Sequence, residues 1–353
     1  MPRLRRLRAA PLVVLTTFLL LPAVGPPAWA EAPPPTAVVA LGDSTASGEG
    51  ADAYEPGTRG ENGNWCHRSS NAFVHRTGLA DAGINLACSG ADSADVGFGA
   101  PGRNGEGSQA ARLREIARTH RVVAVTLQVG ANDEPALTRT AVACIRTFVD
   151  PTVAPCRDTV GPQWAGRLAA MAPHVEAAVR DVQQAMRDAG YADDGYAFVL
   201  ASYASPVTEA MGPLHGVEGC PLSRPDAGWG RTVAFPQLAE ALRGVAERTG
   251  VRFLDLSRAT EGHEACSRGT TAGEWQRRIT VDPQALVHGR LDALGQHLFQ
   301  ESFHPNAEAH ALLGGCLGEF VKAGARQGAC EVTPQGGLRA NSGLPPPITS
   351  AAV

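Results

Sequence analysis

The chain has 353 residues, 44% of them apolar and 19% charged, with 40 Gly and 26 Pro. This apolar share can fill a core, which excludes a wholly disordered or fibrous protein, and the length suits one large domain or at most two. With 31 basic and 35 acidic side chains the formal net charge is −4, and it falls to −8 without the four arginines of the first thirty residues, so nucleic acid would gain little hold by counterion release.

Those arginines, Arg3, Arg5, Arg6 and Arg8, precede an uncharged stretch over 9–30 that ends Ala28-Trp29-Ala30. This is the pattern of a secretory signal peptide cleaved after Ala30, and it implies a secreted, extracellular protein. The apolar heart of the leader, 12–24, is broken by Pro22 and is shorter than the roughly 20 residues a bilayer span needs, so no transmembrane segment is expected. Residues 31–36 read as a Pro-rich lead-in, 37–330 as a single folded domain, and 331–353 as a flexible tail rich in Gly, Pro and Ser.

Within the domain, continuous apolar runs at 37–41, 84–87, 122–129, 196–201 and 251–256 predict buried strands of a parallel sheet. Helical patterns lie between and after them, over 71–81, 108–119, 164–189, 232–249 and 305–323. In the longest, Leu168, Met171, Val175, Val179, Val182 and Met186 form a stripe at three- and four-residue steps that serves core packing. The alternation predicts an α/β fold, a three-layer α/β/α sandwich whose ligands bind beyond the carboxyl ends of the strands.

Cysteine usage agrees with export. Cys66, Cys88, Cys144, Cys156, Cys220, Cys266, Cys316 and Cys330 all follow the leader, and eight cysteines in an oxidising compartment predict four disulfides. Of the possible pairings, closure between sequence neighbours is the least demanding: 66 with 88, 144 with 156, 220 with 266 and 316 with 330. No C-x-x-C spacing occurs, which argues against zinc, and neither a metal nor a cofactor is expected.

Polar residues at the strand ends carry the chemistry. Gly42-Asp43-Ser44-Thr45 follows the first run, Cys88-Ser89-Gly90-Ala91 the second and Gly130-Ala131-Asn132-Asp133 the third, while Glu301-Ser302-Phe303-His304-Pro305-Asn306 opens the last helix. Each block alone is ordinary turn chemistry. Together they supply what acyl transfer from an ester needs: a hydroxyl nucleophile in Ser44, a base in His304, and oxyanion donors in the backbone N–H groups of Ser44 and Gly90 and the side-chain amide of Asn132. Pro305 places His304 at the edge of a helix N-terminus. Asp43 and Asp133 are expected to hold their loops by hydrogen bonds.

Four such blocks in this order resemble the SGNH hydrolases, also called GDSL lipases/esterases. The resemblance spans about 37–320 and implies a flavodoxin-like five-stranded sheet of order 2-1-3-4-5, with a carboxylic ester or lipid as substrate. The surrounding Ala46-Ser47-Gly48-Glu49-Gly50 and Asn64-Trp65-Cys66-His67-Arg68-Ser69 resemble secreted bacterial members whose loops are tied by disulfides. Two positions depart from the family pattern. Thr45 stands where the family has Leu, and Glu301 stands where it usually has the Asp of the triad. Glu301 is therefore the expected third member, through its side chain or, as in some secreted relatives, a backbone carbonyl.

Rival readings are weaker. A loose G-x-G-x-x-A at 48–53 and at 105–110 does not sit between strand and helix as a dinucleotide site requires. A secreted binding module would want exposed aromatic platforms, and aromatic residues make up only 5% of the chain. An acetylated polysaccharide is the alternative substrate within the same fold, and a monomer is the default state.

Overall fold

The computed structural model describes residues 32–288 and 294–343; the expected leader lies outside them, as do residues 344–353. Five strands match the apolar runs in order, β2 overlapping its run by only two residues: β1 (Thr36–Gly42), β2 (Ala82–Asn85), β3 (Arg121–Gln128), β4 (Ala197–Ala201) and β5 (Arg252–Asp255). Two more, β6 (Gln327–Val332) and β7 (Leu338–Asn341), complete one sheet of order β2-β1-β3-β4-β5-β6-β7. All neighbouring pairs are parallel except β6 with β7.

The expected order of the first five strands is present, but the expected total of five is not. A turn in which Thr333 N–H donates to Gly337 O at 2.8 Å reverses the chain, and Leu338–Asn341 then pairs back on β6, within the segment whose composition suggested a tail from 331.

The helices that cover the sheet or place the site are α1 (Ser44–Ser47), α2 (Gln109–Thr119), α3 (Leu137–Val149), α4 (Gly161–Asp188), α5 (Phe235–Thr249) and α6 (Ala307–Ala323). Because side chains alternate along a strand, β1 feeds two cores. Ala37, Val39 and Leu41 join the cluster of α2, α4 and α5, and Val38 and Ala40 join that of α6. The α4 stripe is wholly buried in the first cluster, each large side chain contributing about 1.5–3 kcal/mol. Among the described residues no helix is long and apolar enough to cross a membrane.

Two helix expectations need correction. The segment 71–81 holds only a 3-10 turn, Phe73–Arg76, because its backbone lies in a notch of α6: a Cβ on Gly314 would come within 2.5 Å of Phe73 O, and one on Gly318 within 2.1 Å of Thr77 O. The helix expected from 232 starts earlier: a helical run opens at Arg224, passes through a π segment over Gly230–Ala234 and continues as α5. Helix α3 was not foreseen. The four disulfides join Cys66 to Cys88, Cys144 to Cys156, Cys220 to Cys266 and Cys316 to Cys330, each cysteine with its sequence neighbour.

Candidate active site

The turn that carries Ser44 is built from backbone constraints. Gly42 ends β1 at φ +132°, where any Cβ would sit 1.9 Å from Gln128 O, so only glycine fits. The buried Gln109 side chain clamps it from both sides, accepting from Gly42 N–H at 2.7 Å and donating to Gly42 O at 2.9 Å. Asp43 then caps α1, its carboxylate accepting from Thr45 N–H at 3.1 Å and from the Tyr203 hydroxyl. Burial pushes the Asp43 carboxyl up to about 7, partly offset by these hydrogen bonds. The same Tyr203 oxygen accepts from Ala131 N–H at 3.3 Å and so ties the Ser44 turn to the loop after β3.

His304 reaches Ser44 from outside the sheet. Its Nε2 lies 2.7 Å from Ser44 Oγ, a hydrogen bond that joins residues from opposite ends of the domain. The segment bearing it is held by main chain: Arg277 N–H donates to His304 O at 2.9 Å, and Phe303 N–H to Arg277 O at 3.0 Å. Pro305 lies before the helix, not in its first turn; Asn306 is the N-cap of α6 and accepts from Ala309 N–H at 3.0 Å. Burial holds the imidazole pKa below its ordinary value, against the opposing pull of the Glu49 carboxylate.

The expected third triad member is displaced. His304 Nδ1 lies 3.0 Å from the backbone carbonyl of Ser302, and neither the side chain nor the carbonyl of Glu301 is its partner. Phe303 explains the backbone part: at φ +58° it turns the chain so that the carbonyl two residues before the histidine faces the ring. Two arginines explain the side chain, since Glu301 Oε1 lies 3.6 Å from Arg59 Nη2 and Oε2 lies 3.4 Å from Arg277 Nη1.

Ser44, Gly90 and Asn132 line one cleft with His304. No acceptor within the described residues takes the N–H of Ser44 or of Gly90, which leaves both donors for a ligand. Asn132 Nδ2 donates one hydrogen to Ala91 O at 2.9 Å, which fixes the amide and leaves its second hydrogen unused. Gly90 has φ +78°, the left-handed region that favours glycine, and the Arg103 guanidinium lies over it, 3.0 Å from where a Cβ would stand. Asp133 accepts from Ser93 N–H at 3.2 Å and Ser93 Oγ at 3.0 Å, an anchor for its loop.

His67, present in the sequence only as part of the 64–69 block and given no role there, is wholly buried, its Nδ1 2.8 Å from Glu49 Oε1. Glu49, also fully buried, further accepts from Gln300 Nε2 at 2.8 Å and from the Tyr54 hydroxyl at 3.3 Å. The blocks 46–50 and 64–69 contained the signal, though not the contact between them. Glu49, His67 and Glu301 offer ligand atoms within 4.8 Å of one another. A cation among them would meet the Arg59 and Arg277 guanidiniums already held by Glu301, so the donor set suits an ion-pair network better than a metal.

The cleft has a volume of about 970 Å³ and is walled on one side by α3. Its apolar lining includes Leu137, Ile145, Trp164, Val207, Leu222 and Phe299.

Compared with known proteins, residues 40–312 match the GDSL-like lipase/acylhydrolase family. The chain is 27% identical over 309 residues to Lipase 2 of Streptomyces coelicolor, covering 85% of this chain and 96% of that one. Among solved structures it is similar to an extracellular lipase from Streptomyces rimosus, at 21% identity and TM-score 0.48, over 78% of this chain and 95% of the other. It is also similar to a phospholipase A1 from Streptomyces albidoflavus, at 19% identity and TM-score 0.49, over 78% and 94% of the two chains.

Proposed function

The chain belongs to the GDSL-like lipase/acylhydrolase family, and from that premise we propose that it is a secreted serine esterase or lipase acting on carboxylic esters with an acyl chain, through a Ser44-His304 acyl-enzyme. The observation that carries this reading is the 2.7 Å contact between His304 Nε2 and Ser44 Oγ at the mouth of a large apolar cleft.

In the first half-reaction His304 Nε2 takes the proton as Ser44 Oγ attacks the ester carbonyl. The Ser302 carbonyl accepts from Nδ1–H, which selects the tautomer with a free Nε2 lone pair. The N–H groups of Ser44 and Gly90 and the Asn132 amide receive the oxyanion, and the imidazolium then protonates the leaving alcohol. Water attacks the acyl-enzyme by the same proton route, releasing the acid and restoring Ser44.

Cleft size favours a long acyl chain over acetyl, since about 970 Å³ lies at the upper end of small-molecule sites and its walls are largely hydrocarbon. The name of the Streptomyces coelicolor relative, Lipase 2, supports the same choice. Export is supported by the four disulfides and by the leader pattern over 1–30.

A panel of chromogenic esters of increasing chain length, run on the protein and on Ser44→Ala, tests the reading. We expect turnover that rises beyond acetyl and vanishes in the variant, together with phosphonate labelling of Ser44. Hydrolysis confined to acetyl esters would move the assignment to acetylated carbohydrate, and a protein that neither turns over nor labels is a binding module.

A further inference from the structure

In the proposed mechanism His304 becomes an imidazolium with no carboxylate bonded to Nδ1, and a neutral carbonyl fixes a tautomer without supplying charge. A buried cation in the transition state requires a compensating anion nearby. We propose that this anion is Glu49, a positioning residue on the loop after the nucleophile, and that Glu301 does not serve; the inference rests on the Ser44-His304 reading.

The geometry distinguishes the two acids. Glu49 is joined to the nucleophile turn, its N–H donating to Ser44 O at 3.0 Å. The next residue, Gly50, packs under the histidine so tightly that a Cβ would meet His304 Cβ at 3.1 Å and Pro305 O at 2.9 Å. The Glu49–Gly50 backbone is thus tied to the nucleophile turn on one side and packed against the His304 segment on the other. The Glu49 carboxylate is fixed by His67, Tyr54 and Gln300, the last on the same segment as His304. Glu301, by contrast, is neutralised from two sides by Arg59 and Arg277.

The electrostatics agree. Burial alone would raise the Glu49 carboxyl, yet it lies below its ordinary range because His67 and then His304 favour its charged form. Burial raises Glu301, which stays up despite Arg277. The ionisable groups that bear on His304 are Glu49, which favours its protonation, and His67 from the disulfide loop, which opposes it. On α6, His310 is wholly buried and burial pushes it down to about 3, so it is neutral wherever His304 titrates.

The test compares Glu49→Gln with Glu301→Gln, using Ser44→Ala as the inactive reference. Because the Ser302 carbonyl keeps the tautomer, Glu49→Gln leaves the His304 ring oriented while it removes the charge; its amide nitrogen also faces a donor of the Glu49 network, so thermal unfolding is measured beside the kinetics. We expect kcat to fall about 10- to 100-fold with KM nearly unchanged, and the acid limb of the kcat/KM profile to move about one pH unit lower. Glu301→Gln should stay within about threefold of the parent, with its acid limb in place. A folded Glu49→Gln with parental kcat or an unmoved acid limb overturns the proposal. If Glu49→Gln does not fold, Glu49→Asp decides: it keeps a carboxylate but draws the charge back by one methylene, so kcat must fall and the acid limb move lower, and a parental kcat with an unmoved limb refutes the role of Glu49. An active Ser44→Ala would instead sink the underlying Ser44-His304 reading.

Discussion

Ser44 stands at the end of a sheet strand, two residues beyond Gly42 of β1, and is located by main-chain geometry and the Gln109 clamp. His304 stands off the sheet, on a segment bonded to residues 275–277 and surrounded by Glu49, His67, Arg59, Arg277 and Glu301. One partner is therefore placed by the core, the other by a loop assembly rich in charge. Damage near Ser44 should appear first as lost stability, and damage around His304 as altered protonation and turnover.

Four measurements sharpen or break this contrast. The largest effect belongs to Ser44→Ala, which should cost about 10⁴-fold or more in kcat and leave thermal unfolding unchanged, because the turn is held without the hydroxyl. Asn132→Ala should lower kcat by about 10²–10³-fold with a small change in KM, as expected for a donor used only in the transition state. Third is acidity. The base must be neutral, so kcat/KM should fall about tenfold per pH unit below the His304 pKa, and burial sets that fall below the ordinary histidine value of about 6.5. An acid limb above that value would contradict the burial argument. Smallest in activity is Gln109→Ala, which removes the two hydrogen bonds that Gln109 makes to Gly42. It should cost about 1–3 kcal/mol in urea unfolding, while folded enzyme keeps most of its turnover. A large loss of kcat with unchanged stability would break the contrast.

The same division governs what could be read from the sequence. Strands β1, β3, β4 and β5 were legible because buried strands leave uninterrupted apolar runs, β2, half-buried at the sheet edge, only through residues 84–85, and Ser44, Gly90 and Asn132 followed as polar or glycine positions beyond the strand ends. Helix α3 was not, since Thr138, Thr140, Val142, Thr147 and Val149 weaken its helical signature. The turn at 73–76 depends on a notch cut by Gly314 and Gly318, more than two hundred residues away. The Ser302 carbonyl leaves no side-chain trace at all; only the positive φ of Phe303 reveals it. The Glu49-His67 pair spans 18 residues through a loop whose path a local pattern does not give.

The Cys66–Cys88 bridge has a practical consequence. It fastens the loop of His67 to the loop of Gly90, and Ser89 N–H donates to Cys66 O at 3.0 Å beside it. Trp65 and Gly90, which both line the cleft, thus lie next to one covalent rivet, while β1, β3 and β4 pair without it. Thiol reagents in an assay buffer should lower activity by freeing the Gly90 loop and, through the other three bridges, lower the unfolding midpoint as well. Material made in a reducing cytosol should gain in both on air oxidation.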